Sequence, residues 1–403
     1  MEVIHERCCG LDIHKKLVVA CVITPKAKQI RSFGTMTRDL LALGDWLAEN
    51  QVTHVAMEST GVYWEPVYNL LEDDFTLLLV NARHLKMVPG RKTDVKDAQW
   101  IAELLQHGLL KASFIPPRSQ RQLRELTRYR RSVIRERSRV VNRIHKVLEG
   151  ANIKLGSVAS DIVGASGRAM LSALVAGETD PEVLADLAKG QLRDKIPALR
   201  EALWGLVQQH QRFMLQSQLR HLDFLEEEIA RLDEEVEARM RPFEEAVERL
   251  DQIPGIGQRT AQEVLAEIGT DMTPFPTAAH LASWAKLCPG NNQSAGKRKN
   301  GRTGKGNPWL KSALTEAAKS ASRTKDTYLS AQRRRIAARR GKNRASITVA
   351  HSILTSIYHM LRNGTTYQEL GGNYFDERNR HYVVHRSVRR IERLGYRVTL
   401  EAA

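Results

Sequence analysis

Residues 90–98 read GRKTDVKDA, a stretch that opens a helix with two carboxylates three residues apart. Thr93 is placed to cap this helix, Asp94 and Asp97 fall in its first turn, and residues 99–105 continue it. Residues i and i+3 of a helix are neighbours, roughly 5–6 Å apart at Cβ, so both carboxylates can bind one cation. The helix macrodipole also favours acids in a first turn without any ligand. The stretch alone therefore leaves a metal site and a plain helix start both open.

Two further acids in the N-terminal third favour the metal site. Asp12 lies inside the apolar segment CCGLDI, residues 8–13, where a lone carboxylate is costly unless it is paired or metal-bound. Glu58 ends a second such segment, HVAME, residues 54–58. Two acids at predicted strand ends and two on a helix make a tetrad.

The N-terminal third also predicts an α/β fold. Its patterns indicate strands at 8–13, 17–23 and 29–34, a helix at 38–49, a strand at 53–58, a helix containing Val67, a strand at 76–80 and the helix begun at Thr93. Three strands followed by alternating helix and strand is an α/β order. It is also the order of the RNase H-like fold, whose acids belong mid-way along the first strand, at the end of the fourth and on a late helix.

Length and composition predict a globular protein of two or three domains. The chain has 403 residues, of which 42% are hydrophobic, enough for real cores. No run approaches ~18 apolar residues and the first residues lack a signal-peptide core, so we expect a cytoplasmic protein without a membrane segment. The four cysteines show neither zinc spacing nor a disulfide framework, and we expect them to be buried small hydrophobic residues.

The net charge of +16 points to a polyanionic partner, and the charge is segregated by segment. Residues 286–344 hold 17 Lys or Arg against Glu316 and Asp326. Residues 111–154 hold 13 basic residues against three acids. Residues 222–251 reverse the balance, with 12 acids against four arginines.

A long helix at 119–150 is predicted to carry a stripe of arginines opposite an apolar face. Seven arginines at steps of three and four repel one another, so we favour contact with nucleic-acid phosphates over a plain solvated face. The stripe consists of Arg121, Arg124, Arg128, Arg131, Arg135, Arg139 and Arg143.

Apolar residues from Leu215 to Leu250 follow steps of three and four for about five heptads, the pattern of a coiled-coil seam. A helical hairpin that packs on itself explains the same pattern. The acidic exterior favours oligomerisation, and we expect a homodimer that assembles to a tetramer.

Two glycine-rich stretches follow the seam. The segment IPGIG, residues 253–257, resembles a helix-hairpin-helix motif, in which backbone N–H groups approach DNA phosphates. Residues 284–307 form a predicted loop that combines Gly and Asn with cations, a composition suited to a phosphate backbone. Ser294 stands in this loop as a potential nucleophile, although a serine in a loop is ordinarily a turn residue. The loop's cations are Lys297, Arg298, Lys299, Arg302 and Lys305.

Helices including residues 345–361 are predicted to close this part of the chain, and the residues after Gly364 form a tail. The aromatic and basic residues of the tail suit RNA contact, and a small packed subdomain is the alternative. The predicted divisions are 1–115, 116–248, 249–362 and 363–403.

The sequence resembles the DEDD-type transposases of bacterial insertion sequences, the one-ten family with its eleven-eleven branch, which also contains the pilin-gene invertases. The motifs that carry the resemblance follow the family's order from Gly10 to about Asn307. They are GLDIHK (10–15), MESTGVYW (57–64), KTDVKDA (92–98), IPGIG (253–257), and CPG (288–290) with SAGK (294–297).

This resemblance implies a RuvC-like, RNase H-like N-terminal domain, a helical coiled-coil connection and a mainly helical C-terminal transposase domain. It implies that Asp12, Glu58, Asp94 and Asp97 are the acidic tetrad and bind Mg²⁺, which oxygen ligands select. It also implies that Ser294 attacks DNA to give a phosphoserine-linked strand. A non-coding guide RNA that pairs with target and donor DNA is the implied partner.

Two other functions fit the same residues. A junction-resolving nuclease would use the tetrad to activate water and would leave Ser294 structural. A non-catalytic nucleic-acid-binding scaffold would tolerate loss of the acids.

Overall fold

The computed structural model divides the chain into two compact units, unit 1 (Met1–Arg118) and unit 2 (Ser119–Ala403). The predicted cap at Thr93 lies outside the described residues. For residues 94–96, 292–294 and 298–300 only the backbone is described. The structure describes residues 2–59, 61–81, 94–290, 292–294, 296–301, 303–304 and 306–401.

The described part of unit 1 contains a five-stranded sheet of order β3-β2-β1-β4-β5. The first three strands are antiparallel neighbours, whereas β4 and β5 run parallel to β1. The predicted mixed α/β order is confirmed, with strand bounds within one residue of those expected. The strands are β1 (Cys8–Ile13), β2 (Leu17–Ile23), β3 (Lys28–Gly34), β4 (His54–Glu58) and β5 (Thr76–Val80).

Helices cover both faces of this sheet because successive residues of β1 point to opposite sides. Cys9, Leu11 and Ile13 pack in the core formed with α1 (Thr37–Glu49) and α2 (Trp64–Leu71). Cys8 lies in the other core, with α3 (Asp94–Gln106). Cys8, Cys9 and Cys21 are fully buried, as predicted, whereas Cys288 is only half-buried. Burial raises the pKa of the Cys8 thiol to about 12.

Gly10 lets α3 lie directly on β1. A Cβ at Gly10 would stand 2.3 Å from the carbonyl oxygen of Ala98 and 2.4 Å from the nitrogen of Ala102. Towards the start of the strand, the Cys8 thiol donates to the carbonyl of Ala102, one turn further along the helix. The helix therefore runs opposite to β1, and its first turn lies towards Asp12.

Unit 2 is helical apart from a short hairpin described below. Within the described residues, two long helices frame a core filled by short helices, and eight helices follow. The elements are α4 (Arg118–Gly150), α5 (Leu155–Val158), α6 (Ala165–Ala176), α7 (Pro181–Asp186), α8 (Ile196–Leu203), α9 (Gln209–Met240), α10 (Glu244–Asp251), α11 (Gln258–Ile268), α12 (Ala278–Trp284), α13 (Pro308–Ala321), α14 (Tyr328–Arg340), α15 (Lys342–Asn363), α16 (Tyr374–Arg378) and α17 (Arg380–Glu392), with 3₁₀ turns at Gly190–Lys195 and Arg241–Phe243.

The predicted coiled-coil seam is buried inside unit 2. Its residues from Leu215 to Leu232 belong to one core with Val140 and Ile144 of α4 and with the short helices between α4 and α9. The 3₁₀ turn containing Pro242 ends the long helix at Met240, before the predicted seam ends. This corrects the inference of oligomerisation from the seam, because its apolar positions are already covered within the chain.

A compact turn joins α10 to α11 at the IPGIG segment. Gly255 has φ +89° and lies so close to α13 that a Cβ would be 2.4 Å from the carbonyl oxygen of Ala317. Gly257 starts α11 and is exposed. Two helices joined by a glycine hairpin are thus present, with one side of the hairpin packed on α13.

The carboxylate of Glu267, at the end of α11, joins three helices. Arg128 of α4 donates to both of its oxygens, at 2.7 and 2.9 Å, and Arg124 Nε lies 3.1 Å from Oε2. The side-chain amide of Asn307, the N-cap of α13, donates to Oε2 at 2.5 Å. Glu267 is only 3% exposed, and burial lowers the pKa of Arg124 to about 10 although Glu267 opposes that change.

Arginines further along α4 make similar pairs. Arg130 donates to Asp233 of α9 at 3.0 Å and to Gln262 of α11 at 2.8 Å. Arg131 donates to Glu263 of α11 and Glu316 of α13. Several helices of unit 2 are therefore fixed by arginine and carboxylate pairs.

The tail is packed in its first part only. The Phe375 ring of α16 stacks on Tyr328 at 5.1 Å, but no side chain of α17 is buried. Among the described residues, no helix is long and apolar enough to cross a membrane.

Glu267→Ala should lower the free energy of unfolding by about 3–5 kcal/mol, because it leaves two largely buried arginines without their carboxylate. Urea denaturation of the full chain, followed by circular dichroism, measures this change. The matched control is Glu235→Ala, which breaks the exposed pair with Arg239 and should cost less than about 1 kcal/mol. Equal losses in the two variants would contradict a special role for Glu267.

Candidate active site and nucleic-acid surfaces

Asp12 and Glu58 are neighbours at the carboxyl ends of two parallel strands. The register pairs Leu11 with Met57, and its continuation by one residue sets Asp12 beside Glu58. Adjacent strands lie roughly 4.8 Å apart. Gly10 contacts α3 and Ala56 lies in the α3 core, so the acids two residues further on lie on that same side of the sheet. Two members of the predicted tetrad are thus brought together.

The first turn of α3 supplies the other two acids. Asp97 directly precedes Ala98, the residue in contact with Gly10, and its side chain is half-buried. Asp94 is the first residue of the helix, and its side chain lies outside the description. The direction of α3 carries this turn towards Asp12. Among the side chains described, no group of three Asp, Glu, His or Cys residues is close enough to hold a metal ion.

His14 is a neighbour of the acids to which the sequence analysis gave no role. Its Nε2 lies 3.1 Å from Oδ2 of Asp12, and its side chain is 47% exposed against 13% for Asp12. The signal was present in the sequence, because residues i and i+2 of a strand share a face. An imidazole in this position can fix the orientation of the carboxylate.

The donor set at this end of the sheet fits a divalent cation. Asp12 is buried and presents a carboxylate on the side of the sheet that α3 covers. All four predicted ligands offer oxygen, which Mg²⁺ prefers.

Ser294 lies on a two-stranded hairpin where the sequence predicted an irregular loop. Strand β6 (Asn292–Ser294) pairs antiparallel with β7 (Lys297–Asn300), and Ser294 is opposite Lys297. Gly296 in the turn has φ +75°, a value that glycine adopts readily. Lys297 is exposed. The side chains of Ser294, Arg298 and Lys299, and the whole of Arg302 and Lys305, lie outside the described residues.

The base of this hairpin is attached to the helices around it. Asn307 caps α13 by accepting from the backbone N–H groups of Trp309 and Leu310 while it donates to Glu267. Lys311 donates to the Thr303 hydroxyl at 2.7 Å. A Cβ at Gly306 would be 2.8 Å from the carbonyl oxygen of Ala285. The two ends of the segment that carries Ser294 are therefore held together.

The predicted arginine stripe of α4 divides into two parts. Arg124, Arg128 and Arg131 pair with the carboxylates of α11 and α13, and their assignment to nucleic acid stays a prediction. Arg121 is half-buried and already has a partner.

The far end of the stripe faces solvent. Arg135 is exposed, donates to the Ser312 hydroxyl and lies over the Trp309 ring. Arg139 and Arg143 are also exposed. Sequence spacing placed all seven arginines in one stripe. The acids that pair with some of them lie more than 100 positions away in the sequence.

Two family models match the chain. A model described as "Transposase", of the DEDD type of IS110, matches residues 9–153, the region of Asp12, Glu58, Asp94 and Asp97. A second, described as "Transposase IS116/IS110/IS902 family", matches residues 247–333, the region of the glycine hairpin and Ser294.

Two relatives have the same affiliation. The "Insertion element IS110 uncharacterized 43.6 kDa protein" of Streptomyces coelicolor is 38% identical over 126 residues, which cover 30% of this chain and 29% of that protein. The "Transposase for insertion sequence element IS1111A" of Coxiella burnetii is 24% identical over 364 residues, 89% of this chain and 90% of that protein. With models that match both its acidic and its serine-bearing regions, the chain belongs to the IS110-family transposases of insertion sequences.

Proposed function

We propose that this transposase cuts and rejoins DNA with two chemical groups, an acidic tetrad that binds Mg²⁺ and a serine that becomes linked to DNA. The observation that carries the proposal is the position of Asp12 and Glu58, side by side on the face of the sheet that α3 covers. The family's transposase models give the proposal its substrate class, DNA.

The four carboxylates of Asp12, Glu58, Asp94 and Asp97 are the proposed ligands, in a domain proposed to be RuvC-like. These carboxylates would hold Mg²⁺, which would supply polarisation of a scissile phosphate and stabilisation of the charge on the leaving oxygen. His14 keeps one oxygen of Asp12 in a fixed orientation through its hydrogen bond. Burial of Asp12 keeps water away from that carboxylate.

Ser294 is the proposed nucleophile. Its Oγ attacks the phosphorus atom, an Oγ–P bond forms, and the P–O bond to the leaving deoxyribose breaks. The Oγ proton passes to water and the leaving deoxyribose oxygen takes up a proton from water, so the step balances, and the phosphoserine ester keeps the bond energy needed for rejoining. A second DNA hydroxyl then displaces the serine. Exposed Lys297, opposite Ser294 in the hairpin, is suited to binding the phosphate that is attacked.

A guide RNA is the proposed source of sequence specificity, by pairing with both target and donor DNA. The support is the family resemblance together with exposed cations suited to backbone contact, including Arg135, Arg139 and Arg143. The glycine hairpin at Gly257 starts a helix with exposed backbone, the geometry used for phosphate contact by helix-hairpin-helix motifs. Assembly as a dimer and tetramer remains part of the proposal and needs a surface other than the buried seam.

One observation favours a second candidate, a junction-resolving nuclease. All four acids belong to unit 1, and the activation of water for hydrolysis needs no serine from unit 2. Such an enzyme releases free DNA ends with no protein attached.

Asp12→Asn or Glu58→Gln should reduce DNA cleavage by two orders of magnitude or more, because each removes a charged oxygen ligand. Denaturing gels of labelled DNA incubated with protein, RNA and Mg²⁺ measure the cleavage, and Mn²⁺ binding followed by electron paramagnetic resonance measures the site itself. Asp45→Asn, an exposed acid on α1, is the control and should change neither result. Normal Mn²⁺ binding by Asp12→Asn would refute the ligand assignment.

Ser294→Ala should abolish the protein-linked DNA band, because no hydroxyl remains to form the ester. Proteinase digestion of the band before electrophoresis identifies the linkage, and Ser283→Ala, an exposed serine on α12, should behave like the unchanged protein. Recombination by Ser294→Ala would rule out the nucleophile, and cleavage to free ends would favour the nuclease. Activity restored by mixing Ser294→Ala with Asp97→Ala protein would show that active sites are shared between chains.

Arg139→Gln together with Arg143→Gln should weaken RNA binding and lower the slope of log affinity against log salt by about 1.5, since each phosphate contact contributes roughly 0.7–0.9. Fluorescence anisotropy measures the slope. Titrations at salt concentrations from about 50 to 200 mM cover the range in which such contacts change the affinity strongly. The control replaces Arg220 and Arg231 of α9, also exposed, and should leave the slope unchanged. Equal slopes in all three proteins would remove this surface from the proposal.

A further inference from the structure

The last helix, α17, presents a row of arginines on one face. Arg386, Arg389, Arg390 and Arg393 follow the steps i, i+3, i+4 and i+7 and are all exposed. Tyr382 lies one turn earlier on the same face and is 64% exposed. Within residues 380–397 there are six arginines and one acid, Glu392. We call this row the arginine face of α17.

Most of the helix is exposed. None of its residues is fully buried, Val383 and Val388 are half-buried, and Ile391, on the side opposite the arginine face, is 42% exposed. An isolated helix of 13 residues is marginal in water, because most helices in proteins are stabilised by packing. Within the described part of the chain α17 has little of that packing, so its amphipathic pattern points to a surface supplied by a partner.

The segment before α17 is firmly attached to unit 2. Phe375 of α16 stacks on Tyr328, the Arg335 guanidinium lies 5.6 Å over the Phe375 ring, and Glu369 accepts from the backbone N–H of Tyr328 at 2.6 Å. These contacts hold the start of α17 beside α14. Arg334, Arg339 and Arg340 of α14 are exposed, so α17 extends from a part of the surface that is already cationic.

We propose that α17 is a DNA-binding helix whose arginine face enters the major groove of duplex DNA. A major groove about 12 Å wide admits a helix, which is about 10–12 Å across with its side chains, and entry requires that the arginine face is free. Arginine donates two parallel hydrogen bonds to a phosphate or to a guanine edge. At 1.5 Å per residue the arginine face extends about 10 Å, roughly three nucleotides along one strand.

Two other partners suit α17 less well. The major groove of double-stranded RNA is deep and narrow, and side chains do not read it. The acidic helix α9 of a second copy offers opposite charge, but several of its carboxylates are already used within its own unit. Glu226 pairs with Arg137 and Arg168, and Asp233 pairs with Arg130 and Arg259.

The proposal is independent of the metal ligands, of Ser294 and of the guide RNA. Its test is equilibrium binding by the full chain to a fluorescent 30-base-pair duplex, at several salt concentrations and without Mg²⁺. A duplex of about this length covers three turns of DNA at roughly 10 base pairs each.

Replacement of Arg386, Arg389, Arg390 and Arg393 by Gln should lower the salt slope by about 3 to 4 and the DNA affinity by on the order of tenfold or more, since four phosphate-binding charges are lost and Gln preserves the helix. Val388→Pro keeps every charge but breaks the helix, and it should also weaken DNA binding. An unchanged salt slope in the first variant, or unchanged DNA affinity in the second, would overturn the proposal.

The control removes the same charge from exposed sites on other segments of the chain and should alter the DNA affinity by less than about twofold. Equal weakening by this control would show that net charge alone matters and would overturn the proposal. A loss of affinity confined to a hairpin RNA probe would also overturn the proposal. The same holds for a loss of self-association, measured by sedimentation, with DNA binding intact. The control replaces Lys26, Arg38, Lys189 and Arg193 by Gln.

Discussion

The contact between Gly10 and α3 is the constraint on which unit 1 depends. Because Gly10 has no Cβ, the backbone of α3 approaches to a distance that any other residue would prevent, and the small side chains of Ala98 and Ala102 complete the fit. The axis of α3 is thereby set opposite to β1, with its acidic first turn towards the end of the strand. Side chains alternate between the two faces of β1, and this alternation decides on which face Asp12 lies. Asp12 stands two residues after Gly10 and shares its face, whereas a shift of one residue would direct the carboxylate into the core of α1 and α2.

Unit 2 differs from unit 1 because ion pairs, in addition to apolar packing, orient its helices. Glu267 binds Arg124 and Arg128 of α4 and the cap of α13 at once, and α13 begins where the serine-bearing segment ends. A buried carboxylate with several donors is costly to disturb, because every donor left behind loses its partner in a medium of low dielectric constant. The position of the hairpin base is therefore tied to the packing of α4 on α11. A change in α4 far from Ser294 in sequence would act on the hairpin through this carboxylate.

The sequence predicted most of unit 1 because its strands are short, apolar and separated by clear turns. The sequence pattern placed Asp12 and Glu58 at strand ends. The register of β1 and β4, which makes the two acids neighbours, came only from the structure. The hairpin of Ser294 was missed, since Asn, Gln, Lys and Gly have low strand propensity and give no alternation. The stripe of α4 was predicted correctly to lie on one helix, but its ion pairs were not foreseen. Its spacing is local information, whereas the acids Glu263, Glu267 and Glu316 that occupy it come from helices that only the fold brings near.

The same pairing changes what the net charge of +16 means for binding. Arginines 124, 128, 130, 131 and 137 each face a carboxylate of unit 2, so they add little to the field that a polyanion meets. Some acids of α9 are paired in the same way. Among the described residues, exposed arginines stand at the solvent end of α4, around Arg339 and Arg340, and on α17. Counterion release depends on the charges that reach phosphates and not on the total, so the salt dependence of binding reports on exposed groups such as these.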